Sequence, residues 1–102
     1  METLTISEQS IQKLEKVAGR LRAIAHPVRL AIIEMLTKNS KMSVTEIYLH
    51  LDIEQAAASH HLNIMKNKGV LDAKRDGKKI YYSLRNTTLA DIIDCIDKCK
   101  DC

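Results

Sequence analysis

The residues of this chain best suited to chemistry lie near its C-terminus, where Cys95, Cys99 and Cys102 follow one another closely. An odd, bunched set of cysteines is a poor disulfide framework and fits reactive thiols or metal ligands in a reducing compartment. On one continuous helix they would form a single stripe, and three thiolates suit As(III), Zn, Cd or Cu(I). Cys95 and Cys102 would stand about 10 Å apart along that helix, so a shared ion requires its end to unwind or a partner chain to contribute.

Two other interpretations of these cysteines stay open. Cys95 or Cys99 would serve as a small apolar residue at a dimer seam, with Cys102 as a chain-end thiol. Alternatively, a disulfide would act as a redox switch, although a pair three or four residues apart on a regular helix strains that bond. No cofactor follows with certainty, and a thiophilic metal or metalloid ion is the candidate that the cysteines suggest.

A second group of chemistry-bearing residues is the basic stretch from Lys66 to Arg85, in a chain whose net charge is +3. Its basic residues are Lys66, Lys68, Lys74, Arg75, Lys78, Lys79 and Arg85. Such a stretch suits a polyanion, and it also fits a merely solvated surface. The nearby His60 and His61 would point about 100° apart on a helix, so they cannot chelate one ion together. One of them is expected to pack while the other faces outward.

The length of 102 residues predicts one domain, spanning residues 1–102, with a modest core. Leu and Ile must build that core because the chain has no Phe or Trp, and pairing with a second copy would add buried apolar area. No run resembles a signal peptide or a membrane span, which predicts a cytoplasmic protein without a membrane partner. No nucleophile–base constellation or Gly-rich phosphate loop occurs, so an enzyme is not expected.

Hydrophobic periodicity predicts four helices, then two alternating strands, then a fifth helix. Pro27 opens the second helix, and Ser43-Val44-Thr45-Glu46 has the spacing of a capping box for the third. Gly69 ends the fourth helix, Asp76-Gly77 favours a tight hairpin turn, and Thr88 or Asp91 can cap the last helix. Two short helices followed by a basic hairpin make a winged helix-turn-helix, a mainly α fold with a β-hairpin wing.

Four blocks of the chain carry a more specific pattern. They are His26-Pro27-Val28-Arg29-Leu30-Ala31-Ile32-Ile33, Glu54-Gln55-Ala56-Ala57-Ala58-Ser59-His60-His61-Leu62, Gly69-Val70-Leu71 and Arg75-Asp76-Gly77-Lys78-Lys79-Ile80-Tyr81-Tyr82-Ser83-Leu84. In this order they resemble the ArsR/SmtB family of winged-helix transcriptional repressors, and the resemblance runs from about Leu21 to the C-terminus. It implies a homodimer held by the first and last helices, which represses an operon by binding double-stranded operator DNA until an inducer releases it.

The resemblance also implies which residues contact DNA. The helix beginning near Gln55 would enter the major groove, with DNA-facing residues Gln55, Ala56, Ser59 and His60. The wing would contact phosphates through Lys74, Arg75, Lys78 and Lys79. The chain departs from the family pattern at Ala56, where a serine is common, and at Glu54, which brings a negative charge beside phosphates. Both departures bear on sequence preference rather than on the docking mode.

Members of this family differ mainly in what they sense. Many carry a cysteine pair in the helix that starts here at Ser43, but Ser43 and Thr45 occupy those places, which excludes a thiolate site there. Others bind zinc between the paired last helices, where Asn86 and Thr88 of this chain are poor ligands. The cysteine stripe is therefore the candidate inducer site. The alternatives are a repressor that senses redox state or no metal, and a winged helix used for protein contacts.

Overall fold

The computed structural model describes residues 7–99 and contains, within that range, five helices and three short strands. In chain order they are α1 (Glu8–Ile24), α2 (Pro27–Lys38), β1 (Met42–Ser43), α3 (Val44–Leu51), α4 (Gln55–Asn67), β2 (Leu71–Asp76), β3 (Lys79–Leu84) and α5 (Thr88–Asp97). The predicted winged helix-turn-helix is confirmed, because α3 and α4 are followed by the hairpin of β2 and β3. None of the helices in this range has the length and apolar character needed to cross a lipid bilayer.

The wing belongs to a three-stranded antiparallel sheet rather than to the two-stranded hairpin expected from the sequence. The strand order is β1-β3-β2, and the added strand places Met42 opposite Tyr82 and Ser43 opposite Tyr81. A strand of two residues exists only through its pairing with a distant partner, so it leaves no alternation of its own in the sequence. The consequence is that the wing is joined directly to the start of α3.

Gly69 ends α4 as predicted, whereas the wing turn lies one residue later than the predicted Asp76-Gly77. Gly69, directly after the C-cap of α4, has a φ of 77°. In the wing, Asp76 pairs with Lys79, so Gly77 and Lys78 form the two-residue turn. Gly77 has a φ of 65°, the left-handed conformation that the first position of a type II′ turn requires.

The predicted start signals of the second and third helices are confirmed. Pro27 is the first residue of α2. At α3, the Ser43 hydroxyl accepts from the Glu46 backbone N–H at 3.2 Å, and the Ser43 backbone N–H donates to Glu46 Oε1 at 3.0 Å. These two bonds complete the capping box. The donating Ser43 N–H, followed by the Ser43 hydroxyl, holds the pKa of Glu46 below its ordinary value.

The start of α5 differs from the expectation that Thr88 caps it. Asn86 provides the acceptor instead: its Oδ1 accepts from the Thr88 backbone N–H at 2.9 Å and from the Thr88 hydroxyl at 2.6 Å. Thr88 is the first helical residue, so its own N–H is one of those that need a partner. The helix ends at Asp97, so Cys99 lies beyond it and the continuous helical stripe of cysteines does not form. Cys102 lies outside the described residues.

The core forms where α2, α3 and α4 meet the sheet. Its completely or almost completely buried side chains are Ile32, Ile33, Ile47, Leu62, Met65, Val70 and Leu71. Tyr82 adds an aromatic ring, and burial raises the pKa of its hydroxyl. By contrast, several large apolar residues of α1 and α5 remain 40–64% exposed: Ile11, Leu14, Val17, Leu21, Ile92 and Ile96. The core of the single chain therefore leaves the outer faces of these two helices uncovered.

The capping box generates a stability prediction. We expect Ser43→Ala to lower the free energy of unfolding by about 1 kcal/mol, because it leaves the Glu46 N–H without its acceptor at a buried position. Urea unfolding followed by circular dichroism measures the change. Ser40→Ala, in the exposed loop before β1, is the matched control. An equal effect of the two substitutions would contradict the prediction.

Candidate nucleic-acid interface

Helix α4 is a core helix on one of its sides. Ala58, Leu62 and Met65 are completely buried, and their spacing of four and three residues aligns them on one face. Through this face α4 packs against α1, α2, α3 and β2. The packing fixes the inner side of the helix and leaves the opposite side directed at solvent.

The outer side of α4 carries the residues that the family resemblance assigned to DNA contact. Gln55, Ala56 and His60 are exposed, and Ser59 is half-buried. Asn63, which the sequence analysis did not single out, is also exposed and continues the series Gln55, Ser59 at a step of four residues. That spacing was the signal that could have identified it.

A cleft of about 390 Å³ lies between α4 and the wing. Its polar lining residues include Thr45, Gln55, Ser59, Asn63, Lys78 and Lys79. Four of the eight predicted DNA contacts therefore meet here, with amide and hydroxyl groups on one wall and two ammonium groups on the other. Such a groove offers hydrogen-bonding groups to base edges and positive charge to phosphates. Thr45 joins it from the first turn of α3, which the sequence analysis had considered only as the place of a missing cysteine.

The other two predicted wing contacts, Lys74 and Arg75, line a separate groove of about 470 Å³. Lys41, another residue that the sequence analysis missed, lines the same groove and places its ammonium group 5.1 Å from the ring centre of Tyr81. The Arg75 guanidinium donates through Nε to the Gly77 carbonyl at 3.1 Å, so it also braces the hairpin turn. The structure therefore divides the basic wing between two grooves.

An ion pair and a separate carboxylate modify the potential around these grooves. Arg85 donates through Nε to Asp72 Oδ1 at 2.8 Å, in a pair whose side chains are about half exposed. An exposed pair of this kind adds little stability, but it offsets the positive charge of Arg85 at the base of the wing. Glu54 is exposed at the N-cap of α4 and makes no side-chain capping bond.

The two adjacent histidines of α4 separate as expected. His60 is exposed on the outer side of the helix. His61 is half-buried, and its Nδ1 accepts a hydrogen bond of 3.1 Å from Arg29 Nε. The ring centres of His60 and His61 lie 5.7 Å apart in an edge-to-face arrangement. His60 therefore belongs to the candidate interface, and His61 belongs to the packing behind it.

The cysteines show no assembled metal site in the part of the chain that the structure covers. Cys95 is an exposed free thiol on α5, and Cys99 is exposed after the end of that helix. Among residues 7–99, no three His, Cys, Asp or Glu side chains are grouped so that they could hold a metal ion. Cys102 is not among them, so the three-thiolate site stays a prediction.

Comparison with known proteins identifies similar chains. Residues 26–73 match the model of the family described as "Bacterial regulatory protein, arsR family". The uncharacterised HTH-type transcriptional regulator MJ1325 of Methanocaldococcus jannaschii is 34% identical over 88 residues, which cover 86% of this chain and 99% of that protein. The cadmium resistance transcriptional regulatory protein CadC of Listeria innocua is 32% identical over 78 residues, covering 76% and 66% of the two chains.

The transcriptional repressor PagR of Bacillus anthracis is similar in both sequence and structure. It is 39% identical over 84 residues, which cover 82% of this chain and 84% of that protein. Its crystal structure aligns with a TM-score of 0.75 at 38% identity over 84% of this chain and 98% of the solved one. The arrangement of helices and wing is therefore shared across most of the chain.

The α4–wing cleft generates a prediction about salt. We expect the double substitution Lys78→Gln, Lys79→Gln to make the slope of log K against log salt for random-sequence duplex DNA shallower by about 2, because each lost phosphate contact releases about one counterion fewer. Fluorescence anisotropy across a salt series measures the slope. The control is Lys13→Gln, Lys38→Gln, which removes the same charge from exposed positions of α1 and α2. Equal slopes for the two double variants would refute the assignment of the cleft.

Proposed function

Because this chain belongs to the arsR family of bacterial regulatory proteins, we propose that it is a transcriptional repressor that binds operator DNA as a homodimer and is released by an inducer. The observation that carries the proposal is the exposed polar side of α4, which borders a cleft with two lysines on its far wall. A protein with this role acts in the cytoplasm, where the DNA is.

In the proposed complex α4 lies in the major groove, which is wide enough for a helix. Gln55 has the geometry to bond adenine with both amide atoms, and Ser59 and Asn63 extend the same row toward further base edges. Ala56 would present its methyl group to a thymine methyl, and His60 would reach a base edge or a phosphate. Because Gln55, Ser59 and Asn63 share one wall of the cleft, they would contact successive positions along a single groove.

The wing would supply phosphate contacts at two places. Lys78 and Lys79 face the same cleft as the row on α4, so they would neutralise the backbone that borders the groove that α4 occupies. Lys74 and Arg75 would meet the backbone farther out, together with Lys41, from the second groove. These contacts would give affinity and salt dependence without reading the sequence.

The proposed homodimer is supported by the exposed apolar residues of α1 and α5. Leu14 is 57% exposed on α1 and Ile96 is 64% exposed on α5, a helix without any fully buried residue. The exposed Leu21 of α1 and Ile92 of α5 also line one shared groove. Exposed apolar surface of this kind marks an interaction site, and its burial favours association by about 25 cal/mol per Å². A two-fold pair joined along α1 and α5 would present two copies of α4 to one duplex.

Selection from a random duplex library of about 30 base pairs tests the DNA-binding and dimer proposals together. We expect enrichment of an inverted repeat whose half-sites are about one helical turn, or a small multiple of it, apart. Leu14→Glu should yield a monomer in sedimentation velocity and lose the enrichment, because it places a charge in the apolar seam. Leu49→Glu, at a 67% exposed site on α3, is the control and should leave the oligomeric state unchanged.

Other outcomes of this selection would assign different functions. If no sequence is enriched and DNA binding is insensitive to salt, the winged helix is a protein-contact module. If a monomer enriches a single half-site, the dimer part of the proposal is wrong while the DNA-binding part stands.

For the inducer we propose a thiophilic metal or metalloid ion bound by Cys95, Cys99 and Cys102. Thiolates prefer soft ions, and As(III), Zn, Cd and Cu(I) all accept sulfur ligands. The related CadC, named as a cadmium resistance regulatory protein, gives a precedent for this kind of role among similar chains. Since α5 ends at Asp97, Cys99 lies past the regular helix, so the regular helical rise from Cys95 does not extend to it.

Titration of the reduced protein on its selected duplex tests the inducer. We expect at least one of arsenite, Zn(II), Cd(II) or Cu(I) to release the DNA and to produce ultraviolet thiolate absorbance, whereas Mg(II) should do neither because it prefers oxygen ligands. The Cys95→Ser, Cys99→Ser, Cys102→Ser variant should keep its DNA. Release of that variant at the same ion concentrations would overturn the proposal. Release by oxidation alone, reversed by a reductant, would assign redox sensing instead.

A further inference from the structure

A cluster of side chains at the junction of α1, α2 and α4 plays no part in the proposed DNA contacts. The chain turns from α1 into α2 with one of the tightest connections available: the His26 N–H donates to the Ile24 carbonyl at 2.8 Å. Ala25 between them has φ −79° and ψ 61°, the geometry of an inverse γ-turn. A turn of this kind leaves little freedom for α1 to move independently of the start of α2.

Arg29 extends this connection to the recognition helix. Its Nε donates to His61 Nδ1 of α4 at 3.1 Å, and its Nη1 donates to the Ala23 carbonyl, near the end of α1, at 3.4 Å. One half-buried guanidinium on α2 thus holds the end of α1 and the middle of α4 at once. The planar fork of arginine makes such a two-acceptor contact possible, which a lysine ammonium on its single stem does not reproduce.

His26 completes the junction. Its Nδ1 accepts from the Val28 backbone N–H at 3.1 Å and so caps α2, and its ring centre lies 4.6 Å from that of His61. Each of the two histidines therefore uses Nδ1 as an acceptor, which requires the neutral ring with its proton on Nε2. A proton on Nδ1 of either ring breaks a bond that the junction depends on.

The electrostatics of the junction act in the same direction. Burial first, and then the charges of His26, Arg29 and His60, lower the pKa of His61 below 6.5. These are the titratable and charged groups that face His61: two belong to α2 and its N-cap, and one belongs to α4 itself. Helix α1 contributes only the Ala23 carbonyl, which accepts from Arg29. Since the folded protein resists protonation here, the stability from the neutral ring is fully present above about pH 6.5 and is lost as the pH falls toward the lowered pKa.

The position of His61 on α4 connects this cluster to DNA binding. At about 100° per residue, His61 lies roughly 160° around the helix from Ser59, which lines the cleft beside the wing. The wing therefore flanks α4 on one side and the Arg29 junction flanks it on the other. α1, which carries half of the proposed dimer seam, is tied to α4 through the same guanidinium.

We propose that Arg29 is a positioning residue for DNA binding. Its bond to neutral His61 fixes the orientation of α4 relative to the helices of the dimer seam. Mild acid breaks that bond and weakens operator binding. This inference rests on the proposed repressor function. Protons then bind preferentially to the DNA-free protein, because only the bound pair of chains requires both copies of α4 in one fixed orientation.

The test measures the dissociation constant of the full-length protein for its selected duplex at about pH 7.5 and about pH 5.5. We expect the wild type to bind about tenfold more weakly at the lower pH, the change that corresponds to one pKa unit of preferential protonation. His26→Asn, His61→Asn should be almost independent of pH, because Asn Oδ1 takes the place of the Nδ1 acceptor and does not titrate. His50→Asn, at an exposed site on α3, is the control and should follow the wild type.

A second variant separates positioning from a merely structural role. Arg29→Lys keeps the charge but loses the two-acceptor fork, so we expect weaker binding at about pH 7.5 and a much smaller pH effect than in the wild type. The proposal is wrong if the wild type binds its duplex equally well or more tightly in acid. It is also wrong if the His26→Asn, His61→Asn variant loses as much affinity in acid as the wild type does. If no duplex is ever selected, the repressor function itself fails, and that result is distinct from a selected duplex bound equally at both pH values.

Discussion

The structure depends on the double use of α4, whose inner side is part of the core while its outer side stays open to solvent. Ala58, Leu62 and Met65 have no exposed surface, so the helix cannot rotate or slide without opening the core around them. In a chain with no Phe or Trp, this fixation comes from aliphatic and thioether side chains that interlock with the neighbouring helices and the sheet. An exposed row of polar residues becomes useful for recognition only because the row behind it is immobile.

The small size of the core also explains why the outer faces of α1 and α5 remain exposed. The core of a small single chain is filled by α2, α3, α4 and the sheet, and α1 and α5 lie against it while their outer apolar residues remain in contact with water. Leu21 and Ile92 both line a groove of about 360 Å³ that also reaches Gly69 and Val70 behind α4. In the proposed dimer, the partner that covers these outer helices would therefore lie next to the end of α4, and this proximity would couple assembly to DNA contact.

The features that could be predicted from the sequence are those determined by a few adjacent residues. The capping box at Ser43, the helix start at Pro27 and the wing turn at Gly77 are local, and the structure confirms each of them. β1 could not be predicted, since two residues become a strand only when a distant edge is free to pair. The cap of α5 is not decided locally, since several neighbouring polar residues can each serve as an acceptor, and only the folded geometry selects Asn86 rather than Thr88.

The candidate site follows the same division between local and long-range information. The charge of the wing is readable from its composition, but its division between two grooves depends on strand register. Asn63 continues the four-residue spacing of Gln55 and Ser59 in the sequence, but only the folded cleft shows that the three residues line one wall. The hydrogen bond between Arg29 and His61 joins residues 32 positions apart. It could not be predicted from the sequence, because neither residue type specifies so distant a partner.

Ser43 is part of the sheet and also caps a helix, and this double role determines which part of the wing is rigid. Its backbone in β1 pairs with Tyr81 of β3, and its hydroxyl caps α3, so the base of the wing and the helix-turn-helix form one stiff body. DNA grooves vary in width with their sequence, so in the proposed complex a stiff protein body would need an adjustable part to fit different duplexes. In the proposed complex the adjustable part would be the tip at Gly77 and Lys78, where a glycine backbone and a long lysine side chain would let a positive charge follow the phosphates.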